Sequence, residues 1–152
     1  MGSLIRKRVR LIFFVLGAIG VIAGLVFVWQ GASKYIQLTY LAQTEAVNTG
    51  IPAEKAKLGD VVDTMDEMMV AGDIIRTHRQ GIALTYNQLL GAGRYDPTNP
   101  KHLSYSQAIN LENYLYLGVI SFGVSLMMLG LGAFMLLVSS GFFVLGIVLK
   151  PS

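Results

Sequence analysis

The side chains best suited to chemistry are two histidines and a set of carboxylates in the middle of the chain. Imidazole and carboxylate groups bind metals such as Zn²⁺ and act as general acids and bases. The candidates are His78, His102, Asp63, Asp66, Glu67, Asp73, Asp96 and Glu112. Their spacing fits neither a zinc site nor an EF-hand. We therefore expect no bound metal and no cofactor.

Several of these candidates have a simpler structural interpretation. His78 lies in helical register with Ile75 and Ile82, so we expect it to be a packing or edge residue. Thr64 and Glu67 have the spacing of a capping box at the start of a helix. The chain has no cysteine, which excludes disulfides and a cysteine nucleophile. Phosphate-loop and GxSxG motifs are missing from the sequence, so we expect a protein that is not an enzyme.

The apolar residues are concentrated in two runs, which indicates a membrane protein. Of the 152 residues, 53% are hydrophobic and only 14% are charged. Residues 11–29 contain no ionisable side chain, and in residues 113–149 only two tyrosines can titrate. Each run exceeds the roughly 18 residues that mark a membrane-spanning helix. We predict one transmembrane helix at 11–30 and a second within a long helix at 104–149.

The charged residues predict how these helices are oriented. All nine acidic residues lie between Glu45 and Glu112. The basic residues that flank the two apolar runs are Arg6, Lys7, Arg8, Arg10 and Lys150. Because basic residues collect on the cytoplasmic side of a membrane, we expect the tail at 1–10 and the C-terminus at 150–152 to be cytoplasmic. Residues 31–112 are then extracytoplasmic, and we expect the membrane to be a bacterial inner (plasma) membrane.

The same basic residues are expected to contact anionic lipid headgroups rather than nucleic acid. The first apolar run is about 19 residues long, whereas the apolar core of a cleavable signal peptide has roughly 7–15 residues. We therefore expect the first helix to be a retained anchor.

Between the two membrane helices, the sequence predicts a helical extracytoplasmic region at 31–103. The apolar spacing indicates helices at about 31–46 and 53–90, and internal glycines allow the second of these to be two shorter helices. Glycines and prolines indicate a loop at 91–103. Ser104 and Gln107 have capping-box spacing, so the long helix is expected to begin at 104.

Both predicted membrane helices carry small residues at seven-residue spacing. In the second helix these are Gly118, Ser125, Gly132, Ser139 and Gly146. In the first they are Gly17, Gly24 and Gly31, and Gly20 forms a GxxxG pattern with Gly24. Small residues let helix backbones approach closely in lipid, where little hydrophobic gain drives association. The sequence thus predicts an all-α integral membrane protein whose two transmembrane helices pack as an antiparallel hairpin through these faces.

The second apolar run is longer than a bilayer requires. Its 37 residues would form a helix of about 55 Å, against a hydrocarbon core of about 30 Å. Either the extracytoplasmic helices or a second protein could cover the surplus. Two other arrangements are a span at 117–139 with the following residues on the membrane surface, and two short spans. If the extracytoplasmic helices cover the surplus, two sets of residues would face each other. These are Met65, Met68 and Ile75 on the covering helix and Leu117, Ile120 and Val124 on the long helix.

These features favour a non-catalytic accessory or scaffold subunit of a larger membrane complex, or a homo-oligomer. Its expected partners are the lipid bilayer and other membrane proteins, or copies of itself. The alternative is an extracytoplasmic ligand-sensing or regulatory module that signals through a membrane partner. A membrane enzyme or a metal-binding protein is the third alternative.

Overall fold

The computed structural model describes residues 2–45 and 61–149, and all regular secondary structure in these ranges is α-helical. The helices are α1 (Gly2–Glu45), α2 (Met65–Ile82), α3 (Tyr86–Leu90) and α4 (Pro100–Val148). Helices α1 and α4 have 44 and 49 residues, and both are long and apolar enough to cross a membrane. The prediction of a helical chain with two such helices is confirmed.

Helix α4 is continuous and begins four residues earlier than the capping-box pattern predicts. Its start is fixed at Asn99 and Pro100, because the Lys101 backbone N–H donates to Asn99 Oδ1 at 3.0 Å. Proline suits the first helical position, where its missing N–H would have no partner in any case. Near the other end, the Ser139 and Ser140 hydroxyls donate to the backbone oxygens of Met135 and Leu136. Both serines are therefore satisfied inside an unbroken helix.

Helix α2 begins at the predicted capping box. The Glu67 N–H donates to Thr64 Oγ1 at 3.3 Å, and the Thr64 N–H donates to Glu67 Oε2 at 3.1 Å. These bonds satisfy backbone groups that a helix start leaves without partners. The carboxylate of Glu67 is buried in this role, so the capping-box prediction is confirmed.

The helix predicted at 53–90 is interrupted in the structure, and its first residues, 53–60, lie outside the described ranges. Helix α2 ends at Ile82 because Ala83 has an extended backbone with φ −159° and ψ 139°. Thr85 then starts α3, and its hydroxyl accepts from the Gln88 N–H at 3.2 Å. Gly91 ends α3 with a φ of 56°, a conformation that glycine adopts without strain. The described part of this region, from residue 61 onward, therefore contains two shorter helices.

The chain divides into two compact units. The first comprises Met1–Tyr35 and Val124–Ser152, and the second comprises Ile36–Gly123. Within the described part of the first unit, the buried residues are all glycine or serine. The second unit has a core of larger side chains, which includes Met68, Tyr105, Leu115 and Phe122.

Candidate functional site

The main contact surface in the first unit is a seam of small residues between α1 and α4. Seven of its members are buried: Gly17, Gly24, Gly31, Ser125, Gly132, Ser139 and Gly146. A methyl group added to Gly132 would lie 2.8 Å from the backbone oxygen of Gly24 and 2.7 Å from a methyl group of Val28. One added to Gly31 would lie 2.8 Å from the backbone oxygen of Ser125. The two backbones are thus in direct contact, which only residues without a Cβ permit.

The order of the contacts shows the direction of the two segments. Gly17 faces Phe143, Gly24 faces Leu136 and Gly31 faces Leu129. Rising residue numbers in α1 meet falling numbers in α4, so these segments are antiparallel. Gly20 lies beside the Ser139 side chain, and Gly146 faces Phe14. Eight of the nine predicted packing residues therefore lie in this seam.

The large residues opposite the glycines were not singled out from the sequence. Leu129, Leu136 and Phe143 are themselves seven residues apart, and each covers one glycine of α1. In the opposite direction, Val28 covers Gly132 and Phe14 covers Gly146. The seam is thus reciprocal, with each helix inserting large side chains against the small residues of the other. A search for large and small residues in the same repeat would have found these partners.

Within the first unit, most large apolar side chains of α1 and α4 that lie outside the seam are exposed. In the most apolar 18-residue stretch of each helix, only 11% of α1 and 17% of α4 is buried. Individual residues are largely exposed, among them Ile22 at 65%, Leu137 at 73% and Val148 at 73%. A core helix of a water-soluble protein would bury such residues. These faces are therefore suited to contact lipid or apolar protein surfaces.

The basic residues at the start of α1 differ in their surroundings. Arg6, Lys7 and Arg8 are exposed, whereas Arg10 is half-buried. The Arg10 guanidinium lies 5.3 Å from the centroid of the Phe14 ring. Its Nε is buried and has no hydrogen-bond partner among the described residues. Lys150, the basic residue predicted to flank the other end, lies outside the described residues.

Gly118, the ninth predicted packing residue, lies in the second unit and contacts α2 instead of α1. The sulfur of Met68 occupies the space that a Cβ at Gly118 would need. Gly72 of α2 lies against the ring of Tyr116. Helix α2 therefore packs along α4 with two glycine contacts. Met68 belongs to the predicted covering face, but the predicted partners Leu117, Ile120 and Val124 remain 63%, 60% and 47% exposed. Helix α2 therefore does not cover these three residues, although Met68 and Leu117 line the same groove.

A buried carboxylate is the centre of the second unit's polar contacts. Glu112 is 6% exposed and accepts hydrogen bonds from Arg79 Nε at 2.6 Å and from Arg76 Nε at 3.0 Å. Arg79 also donates to the Tyr105 hydroxyl at 2.8 Å, and its guanidinium lies 5.2 Å from that ring's centroid. No sequence pattern indicated this cluster, because its members are up to 36 residues apart.

Burial and ion pairing act on the pKa of Glu112 in opposite directions. Burial raises the pKa because it disfavours the charged carboxylate, but the hydrogen bonds and charges of Arg79 and Arg76 lower it. The net pKa lies below the ordinary value of 4.5. The pKa of Arg79 is raised, chiefly by its hydrogen bond to Glu112. Both groups are therefore charged at neutral pH, and the cluster is an ion pair that joins α2 to α4.

The two histidines occupy structural or peripheral positions. His102 is buried, its Nδ1 accepts from the Asp96 N–H at 3.0 Å, and its ring stacks on Tyr95 at 5.7 Å. His78 is exposed on α2, at the edge of an open cleft that Val70 and Ile74 also line. Within residues 2–45 and 61–149, no three His, Asp or Glu side chains are grouped in a way that could hold a metal ion. The described candidates thus act in capping, ion pairing and loop structure, or face solvent.

A small apolar groove lies in the second unit, with a volume of about 190 Å³. Leu38 and Leu41 of α1, Met68 of α2, and Tyr114 and Leu117 of α4 are among its lining residues.

No protein-family model, no curated protein and no solved structure matches this chain.

The seam predicts opposite effects for two neighbouring glycines of α4. Gly132→Ala should destabilise the protein by about 1–3 kcal/mol, because the new methyl group meets backbone atoms that cannot move aside. Gly130→Ala is the matched control, since nothing lies within 4 Å of its added methyl group. Alanine favours a helix by up to about 1 kcal/mol over glycine, so this variant should be neutral or stabilised. Thermal unfolding in detergent measures both, and equal melting temperatures for the two variants would contradict the seam.

The Glu112 ion pairs predict a dependence of stability on pH. Because the folded pKa of Glu112 is below its unfolded value, the pairs stabilise the fold above about pH 4.5 and lose this effect as pH falls through the folded pKa. Glu112→Gln should lower stability by about 3 kcal/mol at neutral pH, since it removes the charge from a buried pair. The difference from wild type should shrink in acid.

Melting temperatures of both proteins across a pH series provide the measurement. Asp66→Asn, at an exposed position of α2, is the control and should change stability little at any pH. A deficit of Glu112→Gln that stays constant down to low pH would show that the carboxylate charge contributes nothing.

Proposed function

We propose that the chain is an integral membrane protein that serves as a non-catalytic accessory or scaffold subunit of a larger membrane complex or homo-oligomer. In this proposal, α1 and α4 cross the membrane as an antiparallel hairpin. Both termini are cytoplasmic, residues 31–112 are extracytoplasmic, and the membrane is a bacterial inner membrane. The observation that carries the proposal is the uncovered apolar surface of the two long helices.

The contacts of the seam define which parts of the helices would share the membrane. If residues 11–30 of α1 span the hydrocarbon, the pairing of Gly17 with Phe143 and of Gly31 with Leu129 sets about residues 129–148 of α4 beside them. Twenty helical residues measure about 30 Å, which matches the hydrocarbon thickness. The basic cluster before residue 11 then lies at the cytoplasmic surface, in agreement with the positive-inside tendency.

This placement leaves apolar surface of α4 outside the lipid. The apolar residues from about 113 to 128 are in excess of the twenty that the hydrocarbon thickness accommodates. Leu117 and Ile120 within this stretch are 63% and 60% exposed. Exposed apolar side chains at this density favour a protein contact, because each one buried contributes about 1.5–3 kcal/mol. A partner subunit or a second copy of the chain would supply that contact.

The non-catalytic part of the proposal rests on the roles of the polar side chains. Glu67 caps α2, Glu112 pairs with two arginines, and His102 supports the loop that precedes α4. Each is already engaged in holding the fold together.

A second candidate, a ligand-sensing module, is favoured by the apolar groove of the second unit. At about 190 Å³ the groove is smaller than most ligand sites, which enclose about 300–1,000 Å³. A small apolar ligand that raises the melting temperature of wild type, but not of Leu41→Trp, would favour sensing over a scaffold role.

The topology can be tested with single cysteines, because the natural chain has none. Arg94→Cys, in the exposed loop before α4, should react with a membrane-impermeant maleimide in intact cells. Ser152→Cys should react only after the membrane is opened. Labelling of both sites in intact cells, or of neither, would contradict the proposed hairpin.

The scaffold role can be tested by site-specific crosslinking in the membrane. A photo-reactive residue at Ile120, which is 60% exposed, should yield an adduct of defined mass with a partner or with a second copy. The matched control is Gln107, which is also exposed on α4 but lies outside the apolar run. A stable monomer in mild detergent, together with no specific adduct at Ile120, would overturn the proposal.

A further inference from the structure

The first unit contains a concentration of positive charge with no acidic side chain to balance it. Arg6, Lys7, Arg8 and Arg10 lie within two turns of α1, and no Asp or Glu belongs to the unit. Like charges three or four residues apart on a helix repel each other, and the positive end of the helix dipole adds to the repulsion. No carboxylate side chain of this unit is thus available as a fixed partner for these residues.

Arg10 is distinguished from the other three residues by being held in place. Its guanidinium lies over Phe14, and the Phe14 ring is packed 5.9 Å from that of Phe143. The same ring fills the space beside Gly146, where an added methyl group would be 3.1 Å from Phe14 Cε2. A cation on an aromatic face is attracted by the ring, and the seam fixes that ring. Arg10 is thus pre-positioned by contacts between two helices.

The polar atoms of Arg10 are also incompletely satisfied. Its Nε has no hydrogen-bond partner among the described residues, and because the residue is only half-buried, the rest of the guanidinium is open to a ligand. A guanidinium presents donors in a planar fork that matches two oxygens of a phosphate. Arg6 and Lys7 lie one turn before Arg10 on the same side of the helix, whereas Arg8 points to the opposite side.

We infer that Arg10 anchors a binding site for the phosphate of an anionic phospholipid, and that Arg6 and Lys7 complete it. The inference rests on the proposed membrane insertion, which sets Arg10 at the depth of the cytoplasmic headgroups. Exposed apolar residues at the facing end of α4, Val144 and Ile147 among them, provide a surface for the acyl chains. The ligand is thus a lipid held by one oriented arginine, in addition to the general attraction of a basic tail.

The test compares Arg10→Gln with Arg8→Gln, which have equal net charge, in nanodiscs made from equal parts of phosphatidylglycerol and phosphatidylcholine. Native mass spectrometry after release counts the phosphatidylglycerol molecules that remain bound. Arg10→Gln should reduce the retained phosphatidylglycerol about tenfold, since it removes both a charge and charged hydrogen bonds. Arg8→Gln should reduce it only about twofold, through the loss of general attraction. Arg10→Lys keeps the charge but loses the planar fork, so it should resemble Arg10→Gln.

Equal losses for Arg10→Gln and Arg8→Gln would overturn the site and leave a diffuse basic surface. A second arm uses phosphatidylcholine nanodiscs with added inorganic phosphate. Thermal stabilisation by phosphate that depends on Arg10 would overturn the assignment to a lipid, whereas no stabilisation supports it. Insertion of the wild type into nanodiscs, judged by co-elution, tests the membrane proposal separately.

Discussion

The contact between the backbones of α1 and α4 is the constraint on which the first unit depends. In lipid, apolar side chains gain little by leaving the solvent, so helices associate through close packing and through hydrogen bonds. The two helices approach until Gly24 and Gly132 meet backbone to backbone. Large side chains then fit against the opposing glycines, and dispersion contacts accumulate along the seam. Many of the remaining apolar side chains on these segments, Ile22 and Leu137 among them, are exposed.

The second unit is held together by a different balance of forces. It retains glycine contacts at Gly72 and Gly118, but it also buries a carboxylate between two arginines. Buried ion pairs are specific because an unpaired partner is heavily penalised, even where the pair itself adds little stability. The pairing of Glu112 with Arg79 therefore fixes which face of α4 receives α2. That choice leaves Leu117 and Ile120 uncovered.

The parts of the fold that the sequence predicted are those encoded by local or periodic patterns. The apolar runs indicated the two long helices, and Thr64 with Glu67 indicated the start of α2. The start of α4 was misplaced because Asn99 and Pro100 provide a stronger signal than Ser104. The Glu112 cluster and the face of α4 that α2 covers could not be predicted, because they depend on which distant residues meet. Periodicity shows that a helix has a face but does not identify what that face contacts.

The seven-residue repeat of the seam does not by itself determine the axial alignment of α1 along α4. If α1 slid along α4 by one repeat, about 10.5 Å, glycines would again oppose large residues, with Gly24 meeting Leu129 in place of Leu136. The small residues alone thus permit several alignments. The aromatic pairs Phe13–Phe142 and Phe14–Phe143, each with ring centroids 5.9 Å apart, exist in only one of them. These four phenylalanines therefore select a single alignment of the two helices. A chain lacking them would keep the small-residue seam but would lose its fixed position along the other helix.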